Sequence, residues 1–335
     1  MNTINRWMGA GFVCAAILTM TPARGEVKVE RVAYFNQPNC YRLSNGTVEV
    51  IVTTDIGPRV IRYGFVGEMN LFAELPDPVV KTPLGDWKPY GGHRLWHAPE
   101  SIPRSYSPDN EPIKFELVGS DTIRLSQPVE PKTGIEKEMT ITLAADGSAV
   151  TVVHRLTNRN LWEVRLAPWA LTIMAGGGVT ILPQEPYKSH DDEVLPARPM
   201  VLWHYTNLTD PRWTWGKKYI QLRTDERNNE AQKIGLMNKQ GWAAYHLNRQ
   251  LFVKRFAYQD GVEYPDHGCN CETFTKGSFM EVETLGHMQS LKPGGVAEHV
   301  ETWYLFKNVN IGNTETELDA ALLPLIAQTA PAKQP

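Results

Sequence analysis

Short segments rich in Val, Ile, Thr, Tyr and Trp recur along the chain between clusters of Gly, Pro, Asn and Asp, and this rhythm limits what it can fold into. Thr47–Thr53, Val60–Phe65, Lys137–Leu143, Ala149–Leu156, Val164–Ile173, Tyr219–Leu222, Trp242–His246, Leu251–Phe256, Phe279–Leu285 and His299–Phe306 all read as strands. Ala145-Asp146-Gly147-Ser148 reads as a hairpin turn between two of them. Helical periodicity is confined to the end of the chain. There Thr314 and Glu317 form a capping box ahead of Leu318, Leu322, Leu323 and Ile326. Dense antiparallel strands with almost no helix predict an all-β fold, a large antiparallel β-sandwich with a short C-terminal helix.

The two ends are set apart from this body. Arg6, the apolar stretch Met8–Met20 and the small residues around Ala23-Arg24-Gly25 predict a secretory signal peptide over residues 1–25, cleaved near Gly25. The expected location is periplasmic or secreted. The apolar run is short for a bilayer, so no membrane span is expected. The sandwich is expected over residues 26–312, with residues 313–335 forming the helix and a tail disordered from Thr329. Without Arg6 and Arg24 the chain carries 32 Lys+Arg against 37 Asp+Glu, a net charge of −5. No basic run accompanies this balance, which excludes a nucleic-acid partner. Cys40, Cys269 and Cys271 permit at most one disulfide, and the closeness of Cys269 to Cys271 favours a pairing with Cys40.

Four groups of residues carry candidate chemistry. Glu281 and Glu283 lie in the apolar run Ser278–Leu285, and strand alternation puts both, with Phe279, on one face. Acids are seldom buried alone, so this stripe points to a pocket. Between two long Pro-rich loops, Leu75–Pro89 and Pro99–Pro112, stands Tyr90-Gly91-Gly92-His93-Arg94-Leu95-Trp96-His97-Ala98-Pro99-Glu100. If this segment is extended, Arg94 and Trp96 share one face while His93, Leu95 and His97 share the other. Arg212, Trp213 and Trp215 have the composition of a sugar-binding surface. Tyr264-Pro265-Asp266-His267-Gly268-Cys269-Asn270-Cys271-Glu272 reads as a turn delivering Tyr264, Asp266, Asn270 and Glu272 to a pocket. Its C-x-C with one His matches no zinc pattern, and no phosphate loop, dinucleotide fingerprint or H-E-x-x-H occurs, so no metal and no cofactor are expected. Lys233 and Lys254 sit near strand-like runs and are weak pocket candidates.

Asn45–Tyr63 with Glu68-Met-Asn70-Leu-Phe, then Glu281-Val-Glu283, Leu291-Lys-Pro-Gly294 and Glu301–Phe306, resembles the galactose mutarotase-like (aldose 1-epimerase-like) superfamily over Asn45 to Phe306. The resemblance implies a β-supersandwich, a carbohydrate ligand and Glu283 as the catalytic base, with Glu281 tuning it. Tyr90–Arg94 occupies the place of that family's sugar-lining arginine segment. Leu166–Thr172, including Trp169, matches its histidine strand but carries no histidine, so His93, His97 or Arg94 would act on the ring oxygen. Arg62, Trp96, Glu100, Trp169, Arg212, Trp213, Trp215, Tyr264, Asp266, Asn270 and Glu272 are then expected to bind the sugar. The expected function is an exported sugar epimerase or mutarotase. The alternatives are a carbohydrate-binding protein without catalysis, or a lyase on uronate glycans that uses Tyr264, His267, Asn270 and Arg212.

Overall fold

The computed structural model describes residues 25–330. The expected signal segment, Gly25 apart, and residues 331–335 of the expected tail lie outside them.

Two antiparallel sheets face each other. The first runs in the order Lys28–Tyr34, Gln37–Ser44, Val48–Thr53, Arg59–Phe65, Tyr90–Ala98, Val164–Met174, Phe279–Leu285, Cys271–Lys276, Gln232–Leu236 and Met200–Leu202. The second runs Trp213–Trp215, Tyr219–Arg223, Val179–Pro183, Trp242–Leu247, Gln250–Phe256, Val296–Phe306, Val150–Asn158, Ile135–Leu143, Thr122–Ser126 and Lys114–Leu117. Each expected strand is present, lengthened or shortened by a few residues, and the Ala145–Ser148 turn joins Ile135–Leu143 to Val150–Asn158. Alternation along Ile135–Leu143 and Val150–Asn158 sends every second residue into the core between the sheets. Tyr63, Phe72, Phe252 and Trp303 meet there as a cluster of tilted and edge-on rings.

The C-terminal helix Glu315–Ile326 starts at Thr314, whose side chain accepts from the Glu317 amide while Glu317 caps the Thr314 amide in return. It lays Leu318, Leu322 and Ile326 on Val179, Trp242 and Leu251, covering the outer face of the second sheet. The expected disorder does not begin at Thr329. That residue is buried, and its hydroxyl accepts from Arg255 Nε at 2.6 Å.

Two further expectations fail for reasons of topology. Cys40, Cys269 and Cys271 are buried free thiols. Cys40 and Cys271 lie on strands of the first sheet that are separated by five others, far beyond disulfide reach. The expected turn is confined to Pro265–Gly268, where Asp266 and His267 adopt left-handed backbone angles. Glu272 belongs instead to the strand Cys271–Lys276, directly opposite Glu283.

Candidate functional site

The face of the first sheet turned away from the second carries the site. Alternation along Tyr90–Ala98 brings Arg94 and Trp96 to this face, Val164–Met174 brings Trp169, Leu171 and Ile173, and Phe279–Leu285 brings Phe279 and Glu281. Phe274 and Lys233 join them from the next two strands, and the cleft they line encloses about 620 Å³. The two Pro-rich loops form its walls, one through Val80 and Trp87, the other through Glu100 and Tyr106, while Tyr205 closes a third side. Gly91 and Gly92, both at positive φ, let the wall enter the sheet. A Cβ at Gly91 would meet the Ala73 carbonyl oxygen at 1.9 Å, and one at Gly92 the Val60 carbonyl oxygen at 2.2 Å.

Arg94 Nη2 donates to Glu281 Oε1 at 3.0 Å, and the guanidinium lies over the Trp96 and Trp87 rings at 4.7 and 5.2 Å. Arg94 Nε and Nη1 are buried without a hydrogen-bond partner. Burial pushes the Glu281 carboxyl above the ordinary range; Arg94 opposes this shift and the charge of Glu283 adds to it.

Below this layer lies a second charged group. Glu283 is fully buried, and its Oε2 accepts from Trp169 Nε1 at 2.8 Å and from Lys233 Nζ at 3.0 Å. Lys233 Nζ also stands 2.7 Å from Glu272 Oε2, an ion contact too poorly angled to be a hydrogen bond. Both Glu272 oxygens and Glu283 Oε1 therefore lack hydrogen-bond partners. Burial drives the Glu272 carboxyl well above its usual range; Lys233 opposes, and Glu283 and Asp266 reinforce. Burial alone would lower the Lys233 ammonium, but its two carboxylates raise it well above the ordinary lysine value. One ammonium thus faces two buried carboxyls across a strand pair, an arrangement that disfavours a second negative charge on Glu272.

The opposite side of the same strands faces the core. His93 Nδ1 meets Thr172 Oγ1 at 2.8 Å, and its Nε2 meets His154 Nε2 at 2.7 Å. His154 Nδ1 lies 3.0 Å from the His299 carbonyl. Glu301 Oε2 accepts from Trp303 Nε1 at 2.7 Å, and Oε1 accepts from Thr284 and lies 2.9 Å from Lys254 Nζ. His93, His154 and Glu301 offer ligand atoms within 4.8 Å of one another. The cation there is Lys254, and a chain of neutral histidines donating from His93 to His154 to the His299 carbonyl satisfies both rings, so the trio needs no metal. Burial lowers the pKa of all three histidines, to about 3 for His299.

No family model and no curated protein sequence matches the chain. Solved structures do match. A galactose mutarotase-like protein from Lactobacillus casei superposes with a TM-score of 0.52 at 10% identity, covering 80% of this chain and 100% of that one. A mutarotase candidate from Salmonella typhimurium gives 0.54 at 11% identity over 86% and 95%. A TPR-domain containing protein from Parabacteroides distasonis gives 0.55 at 12% identity over 82% of this chain; the chain spans about half of that protein, 49%. The fold is the galactose mutarotase-like β-sandwich.

In this mutarotase-like sandwich the expected site residues divide into three groups. Arg94, Trp96, Glu100, Trp169 and Glu281 line the cleft, and Glu283 and Glu272 lie beneath its floor against Lys233, which itself lines it. Asp266 neighbours Glu272 but lines a different cleft, together with Tyr264. The rest serve the scaffold. Arg62 pairs with Glu49, Arg212 with Asp210, Trp213 with Gln232 and Trp215 with the Leu208 carbonyl. Asn270 bonds the Asn238 backbone. His93 and His97 point away from the cleft, His97 standing 3.9 Å from Glu130, so neither reaches a ligand held by Arg94. The four groups considered for a lyase do not converge either, since Arg212 and Asn270 are engaged elsewhere. The cleft residues missing from the expected set include four aromatic ones, Trp87, Tyr106, Tyr205 and Phe274. Trp87 and Tyr106 sit in the long loops whose length marked them as binding elements.

Proposed function

We propose that the protein is an exported carbohydrate-active enzyme that interconverts the anomers or epimers of an aldose, using a glutamate as base. One observation carries this reading: a carboxylate paired with an arginine at the bottom of a cleft walled by indole rings. Aromatic faces stack on the apolar face of a pyranose, and charged groups hold its hydroxyls. Of the two glutamates on the strand, Glu281 is the one that opens to the cleft, so it is the base; Glu283, which the sequence resemblance favours, is the buried counter-charge of Lys233.

Glu281 takes the proton of the anomeric hydroxyl, the O–H electrons form the carbonyl, and the bond from the anomeric carbon to the ring oxygen breaks. Lys233, the ammonium lining the cleft, donates a hydrogen bond to the ring oxygen as negative charge develops there. Rotation of the open aldehyde, attack of the ring oxygen on its other face and return of the proton from Glu281 close the ring, with no co-reactant. A carboxyl raised by burial is the stronger base for this work.

Polarimetry of freshly dissolved glucose, galactose, xylose and mannose tests the proposal. Glu281→Gln is expected to lower turnover at least about a hundredfold. Wild-type rates in that variant would remove Glu281 from the chemistry. Among the described residues none lining the cleft is a histidine, which favours a second reading, binding without turnover. Sugar-dependent thermal stabilisation with no conversion of any sugar would decide for it.

A further inference from the structure

The cleft does not end at Glu281. A second cleft, of about 690 Å³, opens beside it, and Leu75, Ser278 and Phe279 line both. Each is of the size that encloses one small ligand, and together they exceed what a single pyranose fills. The rings follow the same line. Trp96 and Trp169 stand 5.4 Å apart under the first cleft, and Phe274 and Phe279 stand 6.0 Å apart where it meets the second. Phe279 is partly exposed, on the strand that carries Glu281.

Charge changes along this path. The first cleft presents Arg94, Lys233 and Lys276 against Glu100 and Glu281. The second presents Glu74, Asp225 and Glu226 against Arg227, which is itself paired with Asp225 at 3.2 Å. A chain of uronates would place its second carboxylate among these acids, whereas uncharged hydroxyls accept from and donate to such a wall freely. Resting on the sugar-binding reading above, we propose that the ligand is a neutral oligosaccharide of two or more residues. Its reducing-end sugar lies over Arg94 and Glu281, and its next residue lies over Phe279 in the second cleft.

Titration calorimetry with matched lengths tests this: glucose, cellobiose and cellotetraose; xylose, xylobiose and xylotetraose; mannose, mannobiose and mannotetraose; galactose and galactobiose; and digalacturonate as the charged control. In at least one neutral series the dimer is expected to bind about tenfold or more tighter than its monomer, the gain of one further stacked ring. Glu226→Trp fills the second cleft from an exposed position and is expected to bring the dimer-to-monomer ratio to about one. Arg227→Trp, also exposed, is the second such variant. Monomers that bind as tightly as dimers in every binding series, or a ratio untouched by both variants, would overturn the extended ligand and leave the sugar site standing. Digalacturonate binding above every neutral dimer would overturn the neutral class. Failure of every sugar to bind would overturn the sugar-binding reading itself.

Discussion

Two buried lysines, Lys233 and Lys254, each sit against a glutamate of a central strand, yet they do opposite things. Lys254, between the sheets, meets Glu301 at 2.9 Å and donates to the Val282 carbonyl at 3.0 Å. Thr284 and Trp303 complete the shell of Glu301, so every polar group there has a partner. Burial would raise the Glu301 carboxyl, but Lys254, together with the hydrogen bond from Thr284, outweighs it and holds it below the ordinary range. Lys233, on the outer face, meets two carboxylates that retain three oxygens without hydrogen bonds. Satisfied networks fix a structure, whereas orphaned buried groups store free energy that a ligand or a proton can release. The contrast separates a scaffold from a site, and Val282, flanked by Glu281 and Glu283, joins the two.

The largest effect should come from the closed network. Lys254→Met leaves Glu301 charged and unpaired in the core and is expected to lose about 3–5 kcal/mol of stability in denaturant titration. Lys233→Met should lose less, about 2 kcal/mol near neutral pH, because Glu283 keeps the Trp169 donor. Equal losses for the two variants would erase the distinction between scaffold and site. A third variant acts on the cleft alone. Arg94 holds the Glu281 carboxyl down against burial, so Arg94→Met should move the acid limb of any sugar-turnover profile to higher pH. An unmoved limb would mean that another group titrates.

Alternation was enough to read much of this from the chain. A period of two puts Glu281 with Glu283 and separates Arg94 from His93, and the sandwich keeps both assignments. Applied fully, the same rule removes His93 and His97 as partners of Arg94, because neighbours on a strand face opposite ways. Lys233 and Lys254 mark where the rule stops. Both lie in apolar strand-like runs, and nothing local tells them apart. Their partners depend on sheet order: Gln232–Leu236 pairs with Cys271–Lys276 in the first sheet, whereas Gln250–Phe256 pairs with Val296–Phe306 in the second. Arg212 shows the converse error. An arginine among tryptophans has the composition of a sugar surface, but Asp210, two residues back, binds it with both oxygens. Trp87 and Tyr106 reach the cleft from loops, where no periodicity reports direction.

The smallest expected effect tests the proton on Glu272. Its folded pKa is raised by burial, with Lys233 opposing and Glu283 and Asp266 adding. A carboxyl raised in this way contributes stability that is fully present below the unfolded value, about 4.3. Above that value the unfolded chain gives up its proton while the folded chain keeps it, so stability falls with rising pH until the folded value is passed. Glutamine keeps the shape and does not titrate. Glu272→Gln should therefore match wild type in acid, then gain with rising pH, reaching on the order of 1 kcal/mol near pH 7. Melting temperatures of both proteins from pH 4 to pH 9 would show two curves that separate upward. Parallel curves would mean that Glu272 is charged in the folded protein. Lys233 would then be neutralising two carboxylates, and the floor of the cleft would be as closed as the network around Lys254.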